Sequence, residues 1–158
     1  MMPRKAKEEP QEPKLKHKLE VKFASDWRPG SRKLAARGDW REDLLRKFDV
    51  HGSIDVKVGP GYRLLLERMF ERLIADGWDR NLGKVSEHVG GISVPLSQFK
   101  TPTQQFIAMN FSMESYHTCS ECGRPGTMTG ITTKKSVRIM NLCPEDRSRL
   151  QREADDGN

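Results

Sequence analysis

The sequence predicts an α+β fold, a small mixed domain of helices and short hairpins that ends in a compact cysteine-bearing module. Three observations support this prediction: one strongly amphipathic helical segment, two hairpin patterns built around glycines, and three cysteines grouped near the C-terminus. The length of 158 residues suits one main hydrophobic core better than two full domains.

Composition divides the chain into four segments. We predict a flexible basic arm over residues 1–24, an α+β core over 25–100, a helix with the cysteine module over 101–154, and a frayed tail over 155–158. The first 22 residues hold seven lysines and arginines, four glutamates and three prolines, with few apolar side chains. Such a segment buries too little apolar surface to offset the entropy cost of ordering, so we expect disorder there.

Two short elements are predicted at the start of the core. Apolar residues follow helical spacing from Trp40 to Phe48, and Asp39 stands at the N-cap position. The next segment, Val50–Val58, alternates apolar and polar residues, which predicts a short strand. A Gly-Pro-Gly turn follows this strand and resets the direction of the chain.

The clearest helical pattern runs from Tyr62 to Ala75. Apolar residues recur on one side of this segment, while arginines and glutamates occupy the other side. Gly77 is placed to serve as its C-cap, so we expect a core helix that ends there. Its apolar positions are Tyr62, Leu65, Leu66, Met69, Phe70, Leu73 and Ile74.

A hairpin and a second long helix follow. Gly90 and Gly91 stand between two alternating segments, as in a two-residue turn whose central residues both need positive φ. Pro95 lacks an N–H donor, so the second strand should lie at a sheet edge or stop there. Thr101 as N-cap and Pro102 at the first position begin a helix whose methionines and aromatics we interpret as core packing.

The cysteines have the spacing of metal ligands. Cys119 and Cys122 are two residues apart on a turn closed by Gly123, so both thiolates can reach one tetrahedral ion. Cys143 follows after a segment with the glycines and the alternation of a hairpin, and Pro144 can open a terminal helix. This order of knuckle, hairpin and helix-borne ligand predicts a treble-clef or zinc-ribbon-like module that binds Zn²⁺.

The identity of the fourth ligand is left open between two residues. Asp146, three positions after Cys143, offers a carboxylate oxygen, and a site of three cysteines and one aspartate is chemically permitted. His117, two positions before the knuckle, is the alternative ligand. We favour Asp146, because it stands where a second C-x-x-C or C-x-x-H pair would carry its ligand. Four protein ligands would close the site and make it structural, whereas an open position would admit water and catalysis.

Positive charge indicates polyanionic partners. The formal net charge is +6, and the segment between Cys122 and Cys143 contains four cations and no acid. We predict that cations of the module and of the arm contact phosphates or an acidic protein face. These residues are Arg124, Lys134, Lys135 and Arg138 in the module, and Lys5, Lys7, Lys14, Lys16 and Lys18 in the arm.

Several of these motifs resemble those of a set of small uncharacterised bacterial and phage proteins. In that set a glycine-rich turn and an amphipathic helix precede a Phe-Gly-Gly-Leu segment, another helix, a Thr-Cys-Glu-x-Cys-Gly-x-Pro-Gly knuckle and a final Leu-Cys. The matching stretches within residues 40–147 are Gly59-Pro-Gly61-Tyr62, Glu87-His-Val-Gly90-Gly91-Ile92, Glu114-Ser115, Thr118-Cys119-Ser-Glu-Cys122-Gly-Arg-Pro-Gly126 and Asn141-Leu142-Cys143.

The chain departs from the pattern of those proteins in two places. They usually carry a histidine at the position of Asp146, and a Lys-Glu-Lys-Phe run where residues 86–89 stand here. The resemblance implies the same architecture and residence on a phage or mobile element, and it implies no activity.

We therefore predict a non-enzymatic phage or mobile-element accessory protein that binds nucleic acid or a ribonucleoprotein. The alternative is a protein that binds and modulates or inhibits a host enzyme or defence complex. A metal-dependent nuclease is a remote hypothesis, because HNH-type nucleases place a histidine beside the metal and none lies between Cys122 and Cys143. No nucleophile elbow, P-loop or dinucleotide motif suggests another enzyme class or a small-molecule substrate.

The chain lacks the sequence features of export and membrane insertion. It has no apolar run of about 18 residues and no apolar segment in its charged N-terminal stretch. We therefore expect a cytoplasmic protein in a bacterial host cell, without membrane partners. An odd number of cysteines in such a chain favours metal ligands or free thiols over a disulfide framework.

Overall fold

A computed structural model describes residues 39–157, and these residues form an α+β fold, as predicted. The arm over 1–24 with its five lysines, residues 25–38 of the predicted core, and Asn158 lie outside the described residues. The elements in chain order are α1 (Trp40–Lys47), β1 (Asp55–Lys57), α2 (Arg63–Ala75), β2 (Lys84–His88), β3 (Gly91–Ser93), α3 (Pro102–Ser115), β4 (Thr127–Thr132), β5 (Val137–Leu142) and α4 (Pro144–Asp156).

Strands β1, β2 and β3 form a three-stranded sheet in that order. Strand β1 runs parallel to β2, and β2 runs antiparallel to β3. Strand β3 lies at the edge and ends at Ser93, in agreement with the prediction made from Pro95. The strand predicted over Val50–Val58 is reduced to the three residues of β1, because the chain bends at Gly52, where φ is 114°.

Helix α2 forms the centre of the first core. All of its predicted apolar positions are buried except Ile74, which is half-buried. Helices α1 and α3 pack against it, and both begin at the predicted caps, Asp39 and Thr101, whose side chains accept backbone N–H bonds. Gly77 has φ of 78° but follows the C-cap, which is Asp76, so the predicted cap is displaced by one residue.

The turn between β2 and β3 also differs from the prediction by one residue. Val89 and Gly90 occupy its centre with φ of 48° and 79°, and Gly91 pairs with His88 inside the strand. A Cβ on Gly91 would lie 2.8 Å from the ring of Tyr116, so a larger residue there would require that ring to shift. Positive φ at a β-branched residue such as Val89 costs on the order of 1–3 kcal/mol and requires support from the surrounding fold.

The prediction that the methionines and aromatics of α3 pack in the core holds for only one side of the helix. Ile107 and Phe111 are buried in the first core. Phe106 and Met113 are 58% and 61% exposed, and Met109 and Tyr116 are exposed as well. The reason is that α3 packs against α2 and β3 on one side only.

Strands β4 and β5 form an antiparallel hairpin that packs on α4 and creates a second, smaller core. Helix α4 extends to Asp156, so the tail predicted to fray from residue 155 is helical over its first two residues. This second core contains Cys119, Ile131, Met140, Leu142 and Cys143, with Leu150 and Ala154 packed beside them.

Two close contacts join the cores. The backbone N–H of Gly61, in the turn before α2, donates to the carbonyl of Ser120 over 2.9 Å. A Cβ on Gly61 would lie 2.6 Å from the backbone nitrogen of Gly123, so only glycine fits there. The buried amide of Asn141 on β5 donates to the carbonyl of Ser115 at the end of α3 over 2.9 Å.

Candidate metal centre

The first two cysteines lie on a tight turn between α3 and β4. The backbone N–H of Cys119 donates to the carbonyl of Arg124 over 2.7 Å, and that of Gly123 donates back to Cys119 over 2.9 Å. Gly123 has φ of 78°, as predicted for the residue that closes the knuckle. The docking of this turn on Gly61 fixes it against the first core.

The first turn of α4 supplies the other two candidate ligands. Cys143 is the N-cap of the helix, and its sulfur accepts from the backbone N–H of Asp146 over 3.5 Å. The N-terminal end of a helix carries a partial positive charge, which favours the negative charge of a thiolate and a carboxylate placed there. Strand β5, which leads directly into Cys143, brings this helix end next to the knuckle.

The four candidate ligand atoms form one compact group. One ligand atom from each of Cys119, Cys122, Cys143 and Asp146 lies within 4.8 Å of every other. The sulfurs of Cys122 and Cys143 are 3.7 Å apart, and Oδ2 of Asp146 lies 3.4 Å from the sulfur of Cys119. The sulfur of Cys143 lies 3.2 Å from the same oxygen.

These separations fit a tetrahedral ion. Bonds of about 2.3 Å to sulfur and about 2.0 Å to oxygen, at tetrahedral angles, place two sulfurs about 3.8 Å apart and a sulfur and an oxygen about 3.5 Å apart. The predicted set of three cysteines and Asp146 is thus brought together in a geometry that can hold a metal ion. His117, the alternative ligand, lies outside this group and is exposed after α3, with its carbonyl bonded to Gly126.

The protonation of these groups also suits a metal site. None of the three cysteines forms a disulfide. Burial raises the pKa of the Cys119 thiol to about 12, so this thiol keeps its proton at neutral pH until a cation displaces it. Burial also acts to raise the pKa of Asp146, but hydrogen bonds from the thiols of Cys122 and Cys143 outweigh it and hold that pKa at about 2.

Arg124 lies against the ligand sulfurs, a contact that was not part of its predicted role in polyanion binding. Its Nε is 3.3 Å from the sulfur of Cys122, and its Nη2 is 3.5 Å from the sulfur of Cys143. The same Nη2 donates to Oε2 of Glu145 over 2.5 Å, and this hydrogen bond lowers the pKa of Glu145. Arg124 is therefore engaged at the centre by two sulfurs and a carboxylate.

Arg149 supports the metal centre through the ligand Asp146, a role that the sequence did not lead us to predict. Its Nη2 donates to Oδ1 of Asp146 over 3.1 Å and to Glu121 over 3.3 Å, while Nη1 donates to Glu153 over 3.0 Å. The signal was available, because residues three apart on a helix share a face and Arg149 follows Asp146 by three. Three thiolates and a carboxylate exceed the charge of a divalent ion, and two guanidinium groups offset this excess.

The remaining predicted cations of the module lie away from the metal centre. Lys134 and Lys135 are exposed in the turn between β4 and β5, where Thr133 and Ser136 form a backbone hydrogen bond of 2.8 Å. Arg138 is half-buried on β5. A strand rises about 3.3 Å per residue, so the six residues of β5, which lie between this turn and Cys143, span roughly 17 Å.

Comparison with known proteins adds no relatives. No family model, no curated protein and no solved structure matches the chain. The resemblance to small bacterial and phage proteins stays a prediction. Among residues 39–157, no helix has both the length and the apolar content that crossing a bilayer requires.

Proposed function

We propose that the protein is a zinc-stabilised binding protein without catalytic activity. The observation that supports this proposal is the tetrahedral spacing of three cysteine sulfurs and the Asp146 oxygen. Zn²⁺ commonly binds such soft sulfur donors with one further ligand, and a site filled by four protein ligands leaves no position for a substrate or an activated water. The ion would tie the knuckle to α4 and so hold the hairpin in place.

The size of the second core gives the metal a structural role. Domains below about 40 residues rarely fold without a metal, a disulfide or a partner, and the segment 119–157 is of that size. Zinc binding in such modules contributes on the order of 10 kcal/mol or more of apparent folding free energy. Removal of the ion should therefore unfold the hairpin and α4 before it affects α2.

The test of the zinc site is elemental analysis of the purified full-length chain and of matched variants. We expect about one zinc ion per chain. Cys143→Ser and Asp146→Ala should lose most of this zinc, whereas His117→Ala should retain it. Less than half an equivalent in the unaltered protein, or zinc loss in His117→Ala alone, would contradict the proposed ligand set.

We further propose a protein partner, in the manner of a mobile-element product that modulates a host enzyme or defence complex. The hairpin exposes three large apolar side chains, Met128, Val137 and Ile139, each at least 45% exposed. Clustered exposed apolar side chains mark binding surfaces, and methionine is enriched at protein interfaces. Because Arg124 is engaged at the metal centre, the module has fewer cations for phosphates than its sequence indicates.

Nucleic acid or a ribonucleoprotein remains the second candidate partner, favoured by the exposed lysines of the hairpin turn and the net charge of +6. This hypothesis is tested by measuring DNA and RNA binding across a salt series. Contact with phosphates makes affinity fall steeply with salt, and replacing Lys134 and Lys135 by glutamine should reduce the slope by about one unit per lost contact. Absent or salt-independent binding would exclude this candidate.

A further inference from the structure

Within residues 39–157, the outer edge of β5 presents backbone groups without hydrogen-bond partners. The hydrogen bonds of the neighbouring strand β4 identify which groups of β5 point outward. The side chain of Gln151 bonds both the N–H and the carbonyl of Thr132, each over 3.1 Å, so these groups point away from β5. Antiparallel pairs alternate between bonded and non-bonded, and Thr132 pairs with Val137 while Gly130 pairs with Ile139. The N–H and carbonyl groups of Val137 and Ile139 therefore point outward from the hairpin.

Those outward groups have no partner within the described part of the chain. No hydrogen bond from residues 39–157 reaches the backbone of Val137 or Ile139 on that edge, whereas the next outward carbonyl, of Asn141, accepts from Ser120 over 2.9 Å. The opposite edge differs, because Gln151 of α4 caps β4 at Thr132. A bare edge strand is a ready template for another strand, and proteins usually cover such edges.

The side chains next to this edge are also suited to pairing. On the face of the hairpin turned away from α4, Val137 is 60%, Met128 53% and Ile139 45% exposed. Apolar, β-branched side chains on an uncapped edge favour addition of a strand over solvation, because cross-strand apolar pairs stabilise the ladder.

We propose that the outer edge of β5 accepts an extended, acidic segment of a partner protein as an added antiparallel or parallel strand. This inference depends on the proposed protein-binding function and specifies how the partner binds. Main-chain hydrogen bonds to Val137 and Ile139 supply affinity, and the alternate side chains of the added strand meet the exposed apolar face.

The charge of the hairpin selects an acidic partner. Lys135 is exposed in the turn beside β5, and no acid occurs between Cys122 and Cys143. Complementary charge across an interface favours association, and like charges oppose it. A second copy of this chain would bring the same lysine against the same edge, so a segment that alternates apolar residues with aspartate or glutamate fits better.

The test uses hydrogen exchange on the zinc-loaded, full-length, ¹⁵N-labelled protein. The probes are two capped nine-residue peptides, one alternating valine with glutamate and one alternating valine with lysine. Without peptide, the amides of Val137 and Ile139 should exchange rapidly, while those of Arg138 and Met140, which face β4, should be protected. The glutamate peptide should slow exchange at Val137 and Ile139 at least tenfold, and the lysine peptide should not.

Two variants test whether the glutamate peptide binds at the edge of β5. Ile139→Pro removes the outward N–H without removing a hydrogen bond to β4, and should weaken binding of the glutamate peptide at least tenfold. Lys135→Glu should also weaken binding of the glutamate peptide, and it tests the same edge if the proline variant does not fold. Leu64→Ser, which replaces a side chain 70% exposed on α2, is the matched control and should bind unchanged.

The outcomes separate this inference from the proposed function. Failure of the glutamate peptide to protect Val137 and Ile139 at millimolar concentration, or equal protection by both peptides, would overturn the inference. Protection that rises with protein concentration alone would mean a second copy, and protection by an oligonucleotide would mean nucleic acid; either result also overturns it. A partner that binds elsewhere while these amides still exchange would refute the edge but leave the proposed protein-binding function intact.

Discussion

Replacement of Arg124 by glutamine should weaken zinc binding by about 10- to 100-fold, the usual effect of removing a group that supports metal ligands. The magnitude follows from three contacts: the guanidinium touches the sulfurs of Cys122 and Cys143 and bonds Glu145. Glutamine keeps much of the side-chain length but removes the charge that offsets the excess negative charge of the ligands. The fold of the first core should stay intact, because the hydrogen bonds of Arg124 among residues 39–157 all lie in the cysteine module.

Lysine at this position is an informative second variant. It restores the charge but not the planar fork that reaches two sulfurs and a carboxylate together, so Arg124→Lys should recover only part of the lost affinity. Competition with a chromophoric chelator measures zinc affinity, and the thiolate-to-metal absorption of the Co²⁺-substituted protein reports the geometry at the sulfurs. Arg149→Gln tests the corresponding support of Asp146, with an effect of the same direction.

The Arg124→Gln variant also distinguishes support of the metal ligands from contact with a phosphate. If Arg124→Gln kept full zinc affinity and an unchanged Co²⁺ spectrum but lost nucleic-acid binding, Arg124 would be a phosphate contact, as its sequence position first indicated. The Lys134→Gln variant is the matched control, because it removes a cation from the turn of the same module, which the length of β5 separates from Cys143. Its zinc affinity should equal that of the unaltered protein.

The remaining predictions concern the packing and the protonation of the centre. Gly61→Ala should destabilise the protein by about 1–3 kcal/mol in urea unfolding and speed zinc loss, because its Cβ would lie 2.6 Å from the nitrogen of Gly123; an unchanged midpoint would show that the knuckle does not depend on this contact. Phe70→Ala should cost about 3 to 5 kcal/mol, because the ring is 1% exposed; a loss below about 0.5 kcal/mol would place the ring in solvent. Zinc affinity should fall at least tenfold per pH unit on acidification from neutral pH, because Cys119, with its pKa raised to about 12, must release its proton on binding. Calorimetry in buffers of different ionisation enthalpy measures that release, and pH-independent affinity would exclude Cys119 as a ligand.

Much of the fold was predictable because its signals are local. The apolar spacing of α2, the caps Asp39 and Thr101, and the Cys-x-x-Cys-Gly knuckle each depend on residues within one or two turns of one another. The metal ligands were also predictable from local signals, since the knuckle and the first turn of α4 are each short motifs of defined geometry. The spacing of Asp146 after Cys143 made it the favoured candidate for that reason, although His117 remained an alternative.

The errors occur where distant segments meet. The turn between β2 and β3 has Val89 and Gly90 at its centre, while Gly91 pairs inside the strand and lies beside Tyr116, which follows α3. One side of α3 stays exposed because α2 and β3 pack against its other side. Neither fact is encoded by the local pattern of apolar residues, which shows that a side is apolar but not what covers it.

The sequence by itself determined the class of fold and the bounds of the main helices. It also identified, without ambiguity, three of the four candidate metal ligands. Only the tertiary structure showed that Asp146 rather than His117 joins the three cysteines, that Arg124 lies against the ligand sulfurs, and that the outward backbone groups of Val137 and Ile139 have no hydrogen-bond partner among residues 39–157. The physical reason is that helix formation and ligand spacing depend on neighbours along the chain. Charge pairing and edge coverage depend instead on which surfaces the folded chain brings within a few ångströms.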